Sequence, residues 1–250
     1  MEYEEIIKKL ESLKNPKNVD GMARFGIRPK VKVFGVPVPE IRKIAKEIKK
    51  SMGSRASHRL AKEIKKDHQL ALKLFDSGIH EARLLATMIA DVEKLTGGQI
   101  EKWIKTFDSW DIVDQACMNL LCKSDIAKKK ILDFSKRKKE FEKRTAFALM
   151  ASLAVHDKKM MDKDFIKFFS LIKKASVDER NFVKKAVNWA LRQIGKRNKK
   201  LNIEATKLAL QLRLKQAKSE KWIGNDAYRE LTSKSVQDKI KNKKINDKDF

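Results

Sequence analysis

"FEKRTAFALMASLAV" occupies residues 141–155 and contains neither glycine nor proline. Its apolar residues recur every three to four positions, the period of an α-helix. Ala146, Leu149, Met150 and Leu153 share one face, while Arg144 lies on the other with Ala148 and Ala151. Two more stretches carry the same pattern, "HEARLLATMIADV" at 80–92 and "NFVKKAVNWALRQIG" at 181–195. Aligning the three puts Arg83, Arg144 and Lys185 at one position ahead of a face of small and apolar residues. Arg144 and Lys185 stand 41 residues apart, within the period of paired-helix repeat arrays, whereas the first pair does not keep that spacing.

Outward from these stretches the chain reads as helix almost throughout. It has only nine Gly and four Pro in 250 residues, and all four prolines precede residue 40. "GMARFGIRPKVKVFGVPVPEIR" is therefore the one long irregular segment, closed by a helix start at Pro39 and Glu40. Helices are predicted over 40–51, 54–65, 67–76, 79–93, 98–106, 109–122, 125–137, 140–155, 162–174, 178–195 and 201–214, with a weaker one near 224–242. This pattern predicts an all-α fold, an α-solenoid of HEAT-like helical hairpins with one helix of each hairpin along a concave surface. One repeat domain is expected over 1–232, followed by a basic tail at 233–250 with the composition of a disordered segment.

Lys and Arg number 59 against 33 Asp and Glu, a formal charge of +26. Such a balance favours a polyanionic partner, because each phosphate neutralised releases counterions. A merely soluble, Lys-rich protein is the other reading. Cys117 and Cys122 are the two cysteines, so a disulfide framework or zinc site is not expected, and a reducing compartment fits. His58, His68, His80 and His156 are scattered and read as cap, surface or helix-end residues. No apolar run approaches the ~18 residues of a membrane span, and no signal-peptide pattern is present. The expected location is cytoplasmic, associated with the nucleoid when on DNA, with no membrane, no metal and no cofactor.

Several residues do not fit plain amphipathic helices. In 181–195, Val183, Val187, Ala190, Leu191 and Ile194 form the apolar stripe, while Trp189 points away in a column with Lys185, Arg192 and Lys196. Trp189 either packs on a neighbouring repeat or serves as an aromatic plate among phosphate-binding cations. Arg144 likewise either pairs with Glu140 four residues earlier or meets a bulky ligand across its small neighbours. In "FDSWDIVDQAC", residues 107–117, Asp108 reads as the helix cap and Asp111 as complement to the helix dipole. Asp114 borders the inward stripe of Val113, Cys117, Leu120 and Leu121, one turn from Trp110. A carboxylate there is partly desolvated and calls for a cation or donors, from a neighbouring repeat or from a substrate.

"SWDIVDQAC", "FEKRTAFA" and "FVKKAVNWALRQIGKRN" occur in that order after "GMARFGI" and "FGVPVPEIRKIAK". Together, over about residues 20–215, they resemble the AlkD family of alkylpurine DNA glycosylases. The resemblance implies a right-handed α-solenoid of HEAT-like helical hairpins whose basic concave surface binds duplex DNA, and which hydrolyses the glycosidic bond of N3- and N7-alkylated purines without a deep base pocket. It places the catalytic carboxylate at Asp114, the two cleft tryptophans at Trp110 and Trp189, and a phosphate-binding arginine at Arg144. Arg192 follows Trp189 at the family spacing; Lys185, Lys196 and Arg83 join it as DNA-binding candidates. Phe25 stands where well-known members carry Tyr after Met-Ala-Arg, so the aromatic surface is kept and the hydroxyl lost. Duplex DNA with alkylated purines is the implied partner, for a monomer without an obligate protein partner. A non-catalytic repeat protein that binds damaged or branched DNA is the second reading.

Overall fold

The computed structural model describes residues 1–53 and 60–246, and in them helices account for nearly all regular structure. The chain divides into two compact units, Met1–Ala127 and Lys128–Phe250. The single domain expected over 1–232 is thus described as two bodies, each by itself.

The first unit contains α1 (Tyr3–Ser12), α2 (Pro16–Arg24), α3 (Val38–Gly53), α4 (Leu60–Phe75), α5 (His80–Ile89), α6 (Gly97–Lys105) and α7 (Trp110–Asn119). Local chemistry explains several starts. Asn15 accepts from the Asn18 amide with Pro16 in the first turn of α2, and Thr96 forms a reciprocal capping box with Gln99 on α6. Helix α2 therefore runs into the stretch expected to be irregular, which begins instead at Phe25. Predicted helices 54–65 and 67–76 correspond to the one uninterrupted helix α4, with positions 54–59 outside the described residues. His68, read from the sequence as a cap, surface or helix-end residue, is instead buried within that helix (3 % exposed). Helices α3, α4 and α7 pack on α5, whose ten residues are all buried.

In the second unit, α10 (Glu140–His156), α12 (Asn181–Gly195) and α14 (Lys218–Leu231) pack side by side as one row. Helices α11 (Asp162–Ala175) and α13 (Lys199–Arg213) form a second row against them. Short helices α8 (Asp125–Lys129) and α9 (Ile131–Ser135) replace the single predicted helix 125–137. The spacing of repeats is visible in bonds: Arg144 donates to the Phe182 carbonyl (2.6 Å) and Asn188 to Asp226 (2.7 Å), each 38 residues on. Gly224 marks a close approach of two backbones, because a Cβ there would lie 2.6 Å from the Arg213 amide nitrogen and 2.7 Å from the Ala209 carbonyl oxygen.

The expected tail is corrected at its start, since α15 (Lys234–Asn246) is helical. Val236 and Ile240, one turn apart, are buried, and Gln237 donates to the Leu231 carbonyl (2.6 Å). The weaker helix predicted near 224–242 is accordingly two, α14 and α15.

Candidate functional site

In the first unit the irregular segment is stitched down by the buried Glu81 and the half-buried Asp108. Glu81, 1 % exposed, accepts from the amides of Phe34 (3.0 Å), Gly35 (2.6 Å) and Val36 (3.3 Å). Gly35 has φ +77°, and a Cβ there would stand 2.2 Å from the Asn15 carbonyl, so this turn requires glycine. The Lys32 amide donates to the Gly78 carbonyl (3.0 Å) and the His80 amide to the Lys32 carbonyl (2.8 Å). Asp108 accepts from the Lys30 amide (2.8 Å) and from Arg83 (3.0 Å). It is a clamp between segments, and Ser109 takes the N-cap position expected for it.

These ties bring Phe25 to α7. The Trp110 indole N–H donates to the Phe25 carbonyl (3.0 Å), which fixes the half-buried indole, while Phe25 itself is 77 % exposed. Asp114 follows one turn later and is 9 % exposed, on the border that its spacing indicated. Val113, Cys117, Leu120 and Leu121 are buried as expected.

The first turn of α7 is set by a second network. Asp111 accepts from Ser109 Oγ (2.6 Å) and meets His80 Nε2 at 2.7 Å. Burial pushes the Asp111 carboxyl up, but the His80 hydrogen bond and charge, with the Ser109 hydroxyl and a backbone amide, outweigh it and hold the group below the usual carboxylate range. Asp111 thus does more than complement the helix dipole; it anchors the residues that precede Asp114.

Arg83 does not face solvent. It is 3 % exposed, donates to Asp108 and to the Thr106 carbonyl (2.6 Å), and lies over the Phe75 ring. Its expected place on a DNA-binding surface is corrected: as the fourth residue of a helix buried all round, it serves the scaffold.

In the second unit Arg144 is 5 % exposed, and Ala148 and Ala151 beside it are fully buried. The open face read for α10 is therefore covered. Glu140, offered as its ion-pair partner, instead accepts from the Phe182 amide (3.1 Å), so Glu140 and Arg144 hold both backbone groups of one residue at the start of α12.

On α12, Trp189 is half-buried and Lys185 exposed. The column they were expected to share with Arg192 and Lys196 is largely neutralised. Arg192 pairs with Glu230 and with Asp226 (3.3 Å), and Lys196 pairs with Glu230 (2.5 Å). Burial raises the Glu230 carboxyl, yet Lys196 and Arg192 together hold it low. Asp226 and Glu230, absent from the sequence reading, had one visible signal: their spacing of one helical turn matches that of Asn188 and Arg192. Among the described residues no cluster of three or more His, Cys, Asp or Glu is placed to hold a metal, and no helix is long and apolar enough to cross a membrane.

Fold and site together define an all-helical repeat protein with an aromatic and carboxylate pair on α7 and a basic second unit. A family described as DNA alkylation repair enzyme matches residues 6–231, and the chain belongs to that family. A solved structure described as "a new family of proteins related to the HEAT-like repeat DNA glycosylases with affinity for branched DNA structures" is similar over 92 % of this chain and 95 % of its own, with TM-score 0.69 and 18 % identity. That likeness establishes the HEAT-like fold. Uncharacterized protein Lmo0209 of Listeria monocytogenes and Uncharacterized protein Lin0241 of Listeria innocua are each 23 % identical over 126 residues. The match takes in 50 % of this chain and 50 % of each relative, so the chain spans about half the length of the curated relatives it matches.

Proposed function

We propose that the protein is a monofunctional DNA glycosylase that removes cationic N3- and N7-alkylated purines from duplex DNA, in the cytoplasm and on the nucleoid. The observation that carries this reading is Asp114, a carboxylate only 9 % exposed, one turn beyond an indole locked to the Phe25 carbonyl. An alkylated purine already bears positive charge, so it leaves as a neutral base without being protonated. As the C1′–N bond breaks, its electron pair goes to the base and positive charge grows on the deoxyribose. Asp114 stabilises that charge more than it stabilises the ground state. Water then adds at C1′ and gives its proton to Asp114, leaving an abasic site. The Trp110 face supports the same developing cation.

Lys185 and Trp189 are assigned to DNA contact from the second unit, with Phe25 as an aromatic contact that has no hydroxyl to offer. Arg192, Lys196 and Arg144 are engaged within that unit, and any phosphate contact from them uses donors left over. The reaction as written uses no metal or organic cofactor, and a monomer suffices for it.

Incubation with methylated duplex DNA, followed by chromatography, tests the reading. Release of 3-methyladenine or 7-methylguanine is expected. Tight DNA binding with no base released overturns it and favours the second reading, a non-catalytic protein for damaged or branched DNA. Phe25 and the branched-DNA affinity in the similar structure's description are the observations that favour that alternative.

A further inference from the structure

Of the four tryptophans, Trp110 and Trp189 belong to the candidate site, Trp103 is buried, and Trp222 lies exposed on α14. Helices α12 and α14 run in register at an offset of 38 residues, with Asn188 bonded to Asp226 and Arg192 to Glu230. One turn earlier on both helices the same ladder sets Lys184 against Trp222, with Nζ 5.2 Å from the ring centroid. A carboxylate rung is thus replaced by an aromatic one. Trp222 remains 39 % exposed, unlike Trp103, which is buried in a stack on Phe75.

The surrounding charges differ from the rest of the unit. Lys143 and Arg180 are bonded to Asp178, and Arg192 and Lys196 to Glu230. Lys184, Lys185, Lys218 and Lys221 have no carboxylate partner among the described residues. Nearby acids are already engaged: Glu220 accepts from Ser176 Oγ, Glu179 from the Ser219 amide and Asp226 from Asn188. An exposed ring in a patch of unpaired lysines matches the needs of a nucleotide, a π-face for the base and cations for the flanking phosphates.

We propose that Trp222, with Lys185, Lys218 and Lys221, forms a stacking site for an unpaired nucleotide of bound DNA. Paired bases have both faces covered by their neighbours, so a duplex can offer this patch only its phosphates. The site therefore adds affinity for DNA that carries single-stranded nucleotides. The inference rests on the nucleic-acid reading above, and it concerns substrate form rather than the base removed.

Fluorescence anisotropy with a blunt duplex, the same duplex bearing a single-stranded overhang, and the free single strand tests it. The full-length protein is expected to bind the overhang DNA more tightly than the blunt duplex. Trp222→Ala should lose about tenfold in affinity for the overhang DNA, the scale of one stacked base, with blunt-duplex binding unchanged. Trp222→Phe keeps a π-face and should retain most of that affinity. Should Trp222→Ala fail to fold, the exposed double variant Lys218→Gln/Lys221→Gln should still lower the salt slope for overhang DNA by roughly 1.4. Overhang binding that ignores both changes, or an equal loss on blunt duplex, overturns the stacking site alone. Failure of the unaltered protein to bind any of the three DNAs overturns this site and the glycosylase reading together.

Discussion

In the first unit, carboxylates are surrounded by donors: Glu81 by three consecutive amides, Asp108 by Arg83 and the Lys30 amide, Asp111 by His80 and Ser109. In the second, cations are surrounded by acceptors: Arg144 meets the Phe182 carbonyl, Arg192 and Lys196 meet Glu230, and Arg197 donates to the carbonyls of Ala154 and Met160. The first arrangement fixes an irregular segment and the start of α7, and so positions Trp110 and Asp114. The second fixes successive repeats to one another. A net charge of +26 is consequently a poor map of the DNA-binding surface, because many of the most prominent cations are committed to the scaffold. The cations left to a ligand are those with no carboxylate partner and no ring beneath them, Lys185, Lys218 and Lys221 among them.

Four measurements break or sharpen this contrast. Glu81→Ala strips the acceptor from three amides held in buried surroundings, and urea unfolding should show a loss of about 3 kcal/mol. A loss under about 1 kcal/mol would mean the segment is held by other contacts. Gly224→Ala pushes a methyl into the backbone of α13 and should cost about 2 kcal/mol in the same assay. A neutral result would show that α13 and α14 can part freely.

Asp178 gives a smaller, pH-dependent effect. Burial raises its carboxyl, but hydrogen bonds and charge from Arg180 and Lys143 prevail and hold it far below the usual carboxylate range. A depressed folded pKa contributes stability that is fully present above the unfolded value and lost as pH falls through the folded one. Asp178→Asn should therefore cost about 1 kcal/mol at neutral pH after allowance for solvent. The difference from the unaltered protein should close as the pH is lowered below about 4. A gap that persists in acid would separate the loss from ionisation. Least in magnitude, Lys185→Gln should reduce the salt slope for duplex binding by roughly 0.9 without changing stability, while Arg192→Gln should leave the slope nearly unchanged. The reverse pattern would return the phosphate role to Arg192.

The helical class and the burial of Val113, Cys117, Leu120 and Leu121 were legible because periodicity alone decides them. So was the position of Asp114 at the margin of that stripe. The merged helix α4 was missed because a buried His68 reads as polar in sequence. The division of the predicted helix near 224–242 into α14 and α15 was not legible, because Val236 and Ile240 are sparse anchors in a basic segment. The fate of Arg83, Arg144 and Arg192 was not legible, since each is decided by a partner 23 to 38 residues away. A helical wheel shows which face a cation occupies and leaves out whether another helix already covers it. Glu81 gave no signal at all, as its partners are the amides of a loop 45 to 47 residues earlier.

On the proposed function, the carboxyl group of Asp114 accelerates base loss rather than holding DNA. This role is tested by comparing Asp114→Asn with the unaltered protein on one methylated duplex, measuring 7-methylguanine release under single-turnover conditions alongside the Kd for that duplex. Release is expected to fall by on the order of 10² to 10⁴ with the Kd nearly unchanged. Release at the unaltered rate, or a loss fully explained by weaker binding, would contradict it.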